Sequence, residues 1–173
     1  PAMAALLSDG RRLGLTCRTD AVLRLERGTG QQRWRVELIG GDTLTCHWLV
    51  LAAGLGSPAL LQPLGHQRPQ TPVLGQALEL QLPAQAEDPL QWPGSISWAG
   101  INLVPRPGQR LWLGATVEPG VSTGSLEALT NLRELGGEAP TWLAEAEVLR
   151  HWQGLRARPD NRPAPLIEDL EPG

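Results

Sequence analysis

The sequence has no Lys, no Tyr and no Phe among its 173 residues. Without lysine there is no side-chain amine to form a Schiff base, and without tyrosine no phenol to act as an acid or hydrogen-bond donor. Seven Trp must therefore supply all the aromatic packing and any ring that stacks on a ligand. Cysteine is scarce too. Cys17 and Cys46 lie far apart, with neither C-x-x-C spacing nor a secretory signal nearby, and His47, His66 and His151 show no ligand spacing with them. A metal is not expected, and the two cysteines read as buried, reduced thiols of a cytoplasmic protein. No apolar run approaches the ~20 residues that cross a bilayer, so the chain reads as soluble, with no membrane span. An excess of cations is missing as well: fifteen basic residues, all Arg, face eighteen acidic ones for a net charge of −3. Nucleic acid is therefore not an expected partner of this segment.

What is present reads as short strands first and helices later. Pro1 to Leu7 reads as the last turns of a helix closed by Ser8-Asp9-Gly10. Leu13–Cys17, Ala21–Glu26, Trp34–Ile39 and Leu44–Cys46 read as strands of a meander, with turn signals at Gly28-Thr29-Gly30 and Gly40-Gly41-Asp42. Trp48 to Gly54 is a continuous apolar run, which predicts a strand buried on both faces. Pro72–Leu82 turns to apolar/polar alternation late in the run and predicts a half-buried strand, followed by a Pro/Gly-rich linker over Pro83–Gly94. Ser95–Pro105 and Arg110–Val117 predict a hairpin across Arg106-Pro107-Gly108-Gln109. Leu126, Leu129, Leu132 and Leu135 recur at helical spacing up to Gly136-Gly137, and a second helix begins near Pro140 and buries Trp142, Leu143 and Ala146. Val148–Trp152 reads as a returning strand, and the proline-rich tail from Arg158 to Gly173 as extended loop. The fold class that follows is α+β, an antiparallel or mixed sheet with two helices plus a β-meander and one further strand.

Three strings carry chemistry. Leu49-Val50-Leu51-Ala52-Ala53-Gly54 ends in small residues that let a backbone approach a planar or phosphorylated ligand, although alone it is also an ordinary core strand. His151-Trp152-Gln153-Gly154-Leu155-Arg156 brings an Arg after a strand and a Gly, the residue type for bidentate capture of a carboxylate; a surface Arg is the plain alternative. Ile101-Asn102-Leu103-Val104-Pro105-Arg106, leading to Leu111-Trp112-Leu113-Gly114-Ala115-Thr116-Val117-Glu118, is by itself only a hairpin. The three histidines read as structural or surface residues, Ser57 has no neighbouring base, and no catalytic side chain is assigned.

In this order, with the meander around Val22 and Pro72 with Gly75-Gln76, the strings resemble the D-amino-acid-oxidase-like family of FAD enzymes, which includes glycine oxidase, sarcosine oxidase and the D-amino-acid dehydrogenases. The resemblance implies that FAD is the cofactor, with Val22 near its adenosine part and Ala52, Ala53 and Gly54 passing under the dinucleotide. Arg156 would bind the carboxylate of a small amino acid or amine whose α-C–H leaves as hydride to the flavin. Asn102 would stand where several relatives place a Tyr, and Arg158 could compete with Arg156 for the ligand. The implied organisation is a partial FAD-binding domain over 1–62, a substrate-binding domain over 63–157 and a return toward the FAD domain over 158–173. The family's G-x-G-x-x-G opening and glycine-rich closing segment are missing from these residues, and both ends read as cut. The expectation is an internal fragment, inactive alone, that does not retain FAD and whose partner is the remainder of the FAD domain. Two alternatives remain: the oxidase half of a bifunctional tRNA-modifying enzyme, and a non-catalytic binding module that has lost flavin.

Overall fold

A computed structural model describes residues 2–84 and 86–170. Pro1, Gln85 and residues 171–173, at the expected first helix, linker and tail, lie outside the described residues. The chain divides into two compact units, one within Pro1–Ala52 and Ala59–His66, the other within Ala53–Pro58 and Gln67–Gly173.

In the first unit, helix α1 spans Ala2–Arg12 and continues through the expected stop at Gly10. Gly14 ends it. At φ +93° Gly14 takes the left-handed turn that a side chain disfavours, while Leu13 N–H and Leu15 N–H return to the carbonyls of Asp9 and Gly10 at 3.1 and 2.8 Å. The expected strand Leu13–Cys17 is thus replaced by a helix cap and irregular chain. Strands β1 (Val22–Thr29), β2 (Gln32–Leu38) and β3 (Thr43–Cys46) then form the antiparallel meander. Leu25, Val36, Leu38 and Leu64 make its small core, with Trp34, Leu49, Leu51 and Leu60 packed against it.

Trp48 to Gly54 is not a buried strand. The backbone is irregular, Val50 is 90% exposed, and only Leu49 and Leu51 turn onto the core. A one-sided core takes every second residue of this apolar run, so lack of alternation in the sequence does not translate into two buried faces. Nor are both cysteines buried: Cys17 is an exposed free thiol and Cys46 a half-buried one. One-turn helix α2 (Ser57–Leu61) follows in the chain.

The second unit is organised by strand β4, Gln70–Gln81. On one side it pairs with β7 (Arg110–Gly114) and β8 (Glu118–Pro119), and β7 continues to β6 (Ile101–Arg106) and β5 (Ile96–Trp98). On its other side β4 pairs along its whole length with β9 (Glu147–Pro159), from Gln70 opposite Pro159 to Gln81 opposite Glu147. All these pairs are antiparallel, so the sheet is not mixed. The expected strand Ser95–Pro105 is two strands joined by Ala99 (φ +47°) and Gly100 (φ +82°), a two-residue turn whose twist suits a hairpin.

Side-chain alternation gives the sheet two unlike faces. Leu74, Leu78 and Leu80 of β4, Leu82 just beyond it, Leu103 of β6 and Leu111 and Leu113 of β7 are all buried, most of them against Leu132, Leu135, Leu143 and Ala146. Those last residues belong to helix α3 (Leu126–Arg133), helix α4 (Thr141–Ala144) and the turns that follow each. Each fully covered leucine contributes roughly 1.5–3 kcal/mol. The Ser125 hydroxyl caps α3 by accepting from Ala128 N–H at 3.0 Å. Among the described residues, no helix is long and apolar enough to cross a membrane.

Candidate functional site

On the sheet face away from this leucine core, the register sets Ala77 opposite both Gly114 and Trp152, Asn102 opposite Gly114, and Glu79 opposite Trp112. The result is a concavity of about 430 Å³ lined by Ala77, Asn102, Trp112, Gly114, Trp152 and Arg156 among others. Its floor is Ala77 and Gly114. A side chain at 114 would collide with Ala77, whose Cβ lies 2.7 Å from where a new Cβ would stand, so the floor stays flat. Trp112 and Trp152 meet edge-on with ring centroids 5.7 Å apart. The guanidinium of Arg106 covers the Trp112 ring at 3.9 Å, and that of Arg150 lies 5.0 Å from the Trp152 ring. Trp112 Nε1 is buried without a partner among the described residues.

Arg156 belongs to β9 itself, not to a turn beyond it, because β4 is long enough to pair with this segment up to Pro159. From β9 the side chain reaches over β4, and its Nη2 donates to the Thr116 carbonyl at 3.3 Å. Thr116 is fixed in turn. Its N–H donates to the Gln76 carbonyl at 3.0 Å, and its hydroxyl accepts from Gln76 N–H at 2.8 Å while donating to Glu118 Oε1 at 2.5 Å. The buried Gln76 side chain donates to Glu118 Oε1 at 3.0 Å and to the Ser125 carbonyl at 3.3 Å. A guanidinium has five N–H groups, so Arg156 keeps donors to offer an anion after bonding Thr116.

Arg156 and Asn102, more than fifty positions apart in sequence, thus line one concavity. Arg158 is exposed and does not line it. Val22 is exposed at the start of β1, beside an irregularity in the pairing between Val22 and Arg24. Ala52, Ala53 and Gly54 are exposed and carry nothing larger than a methyl; Gly54 sits at φ +55°, with a new Cβ there 4.0 Å from that of Ala157. This bare backbone fits the close approach of a flat group such as part of FAD, whereas none of these residues has a side chain that donates to its pyrophosphate. Gly75, Thr116, Trp112 and the pairing partner Ala77 were not legible as site residues. Only their membership of alternating strands hinted that they could share a face.

The sequence matches the family described as FAD dependent oxidoreductase over residues 1–172. It is 34% identical over 133 residues to a glycine oxidase of Pseudomonas putida, a match covering 75% of this chain and 35% of that protein. It is 29% identical over 137 residues to a tRNA 5-methylaminomethyl-2-thiouridine biosynthesis bifunctional protein of Chromohalobacter salexigens, covering 79% of this chain and 19% of the relative. Among solved structures, the glycine oxidase of Geobacillus kaustophilus superposes with a TM-score of 0.74 at 24% identity, covering 91% of this chain and 41% of that one. The chain spans about a third or less of the curated relatives it matches.

Proposed function

The chain belongs to the family of FAD-dependent oxidoreductases, and from that membership we propose that it forms the substrate-side sheet of an enzyme that oxidises the C–N bond of glycine or a similar small amino acid. Arg156 binds the substrate carboxylate through the N–H groups not engaged by Thr116. Asn102 offers an amide to the polar end of the same ligand from the far wall of the concavity. The flat floor of Ala77 and Gly114 leaves room for the rest of a small substrate, and the two tryptophans limit water around it. FAD, when bound, supplies the hydride acceptor. Val22, Ala52, Ala53 and Gly54 contribute contacts to it from a partial FAD-binding domain over 1–62, with the substrate-binding domain over 63–157 and a return toward the FAD domain over 158–173. The cysteines stay free thiols in a cytoplasmic setting.

The observation that carries this reading is the convergence of Arg156 and Asn102 on one non-core concavity. In the flavin-loaded gene product, Arg156→Ala lowers kcat/KM for glycine by about 100-fold, the scale of a lost charge-assisted pair of hydrogen bonds. An unchanged kcat/KM would contradict the carboxylate role and favour a binding module without this chemistry. A second reading is the oxidase half of a tRNA-modifying enzyme, favoured by the Chromohalobacter salexigens relative and by the exposure of Arg156 on an edge strand, where a carboxymethylated amine on RNA could reach it. Turnover of such an RNA, with none of free glycine, would select that reading.

A further inference from the structure

Gly75 is an anomaly in its strand. It is buried at the middle of β4 with no left-handed φ, so the backbone there does not need glycine. Glycine inside a strand weakens it, because the unfolded chain gains freedom and no side chain packs. What occupies the missing side chain's place is Arg156. A Cβ built on Gly75 would overlap Nη2 of Arg156 and stand 2.9 Å from its Cζ and 3.1 Å from its Nε, these being its three nearest atoms. The register explains why. Arg156 pairs with Val73 and Gly75 with Gly154, so Gly75 is the diagonal neighbour of Arg156 on the same face. To reach the Thr116 carbonyl beyond the far edge of β4, the arginine must cross that strand, and the bare Cα of Gly75 is its passage.

We infer that Gly75 is the positioning residue of the carboxylate site: it touches no substrate, and its missing side chain forms the notch that aims the Arg156 guanidinium across β4 toward Thr116. The inference rests on the reading of Arg156 as the carboxylate anchor. A methyl at 75 meets only the far end of a flexible side chain among its nearest neighbours, so it shifts the guanidinium while sparing the sheet. The anchor is then present but misaimed.

The test uses the flavin-loaded gene product, with acetate as the simplest carboxylate, its binding followed by the change in flavin absorbance. Gly75→Ala weakens acetate by about tenfold or more, the scale of one charge-assisted hydrogen bond. It raises KM for glycine more than it lowers kcat, and does not lower the thermal midpoint. Because the effect runs through Arg156, adding Gly75→Ala to Arg156→Ala produces no further loss. Acetate affinity unchanged in Gly75→Ala but lost in Arg156→Ala overturns the positioning role and leaves the anchor standing. Affinity retained in Arg156→Ala removes the anchor, and the inference with it. Losses that add in the double variant would mean that the methyl obstructs the ligand directly, which also overturns it. Should Gly75→Ala fail to fold, Arg156→Ala in the same chain restores folding if the collision is with the guanidinium; a double variant that still fails assigns the glycine to the sheet alone.

Discussion

At position 156 the guanidinium is held by a backbone carbonyl, and that carbonyl by two residues whose own polar groups are satisfied below the sheet. Gln76 N–H, Thr116 hydroxyl and Glu118 carboxylate form a closed chain of donors and acceptors, so the Thr116 carbonyl has little freedom to follow a moving arginine. The sequence made Arg156 visible by residue type, an arginine after a strand and a glycine, and Asn102 only through the family resemblance, since its own string is an ordinary hairpin. Gly75 was visible only as part of the family pattern and without a role, since a glycine that makes room for another residue's side chain leaves no local signal of what it does. A second residue-scale prediction concerns Glu168, which accepts from Arg68 Nε at 2.5 Å and also pairs with Arg162. The hydrogen bond from Arg68, aided by the charges of both arginines, holds its carboxyl below the ordinary value of 4.5. A lowered folded value contributes stability that is present above the ordinary value and lost as pH falls through the lowered one. Glu168→Gln therefore lowers the thermal midpoint near neutral pH and removes part of the acid-side decline. The midpoints of the two proteins converge in acid; parallel curves down to acid pH would refute the tie.

At the scale of elements, the strands whose alternation feeds a one-sided core were legible. Leu74, Leu78 and Leu80 announce β4, and the leucines of β7 and α3 announce the surfaces that close over it. The failures have separate physical causes. The run at Trp48–Gly54 is apolar in composition, yet it meets a core on one side only. Strand β9 outruns its sequence signal because Gly154 and the arginines gain their place from pairing with β4, not from intrinsic preference. The turn between β5 and β6 was missed because Ala99 holds a positive φ that alanine disfavours. That mismatch gives a prediction: Ala99→Asn, which tolerates this conformation, stabilises the protein by about 0.5–1 kcal/mol. Equilibrium denaturation would read this as a higher midpoint at unchanged slope, and a lower midpoint would argue against the turn.

At the scale of the molecule, the α+β class and the family membership agree with the sequence pattern, while the site emerged only when four strands were set side by side. No single string contains the concavity, because its floor comes from β4 and β7, its walls from β6, β7 and β9, and its anchor from β9. Ala52, Ala53 and Gly54 offer small, exposed backbone to a flat ligand and have no side-chain donor for a pyrophosphate, and the prediction is that the purified 173-residue chain alone carries little FAD and shows no glycine turnover. Absorbance after gel filtration with added FAD checks this, and a stoichiometric flavin band carried with the chain would refute it. The central claim, that this sheet face receives a carboxylate at Arg156, is tested most directly by crystals of the flavin-loaded gene product soaked with acetate. The account predicts both carboxylate oxygens about 3 Å from the Arg156 guanidinium above the Ala77 and Gly114 floor. Acetate bound elsewhere in the protein, with Arg156 turned to solvent, would contradict it.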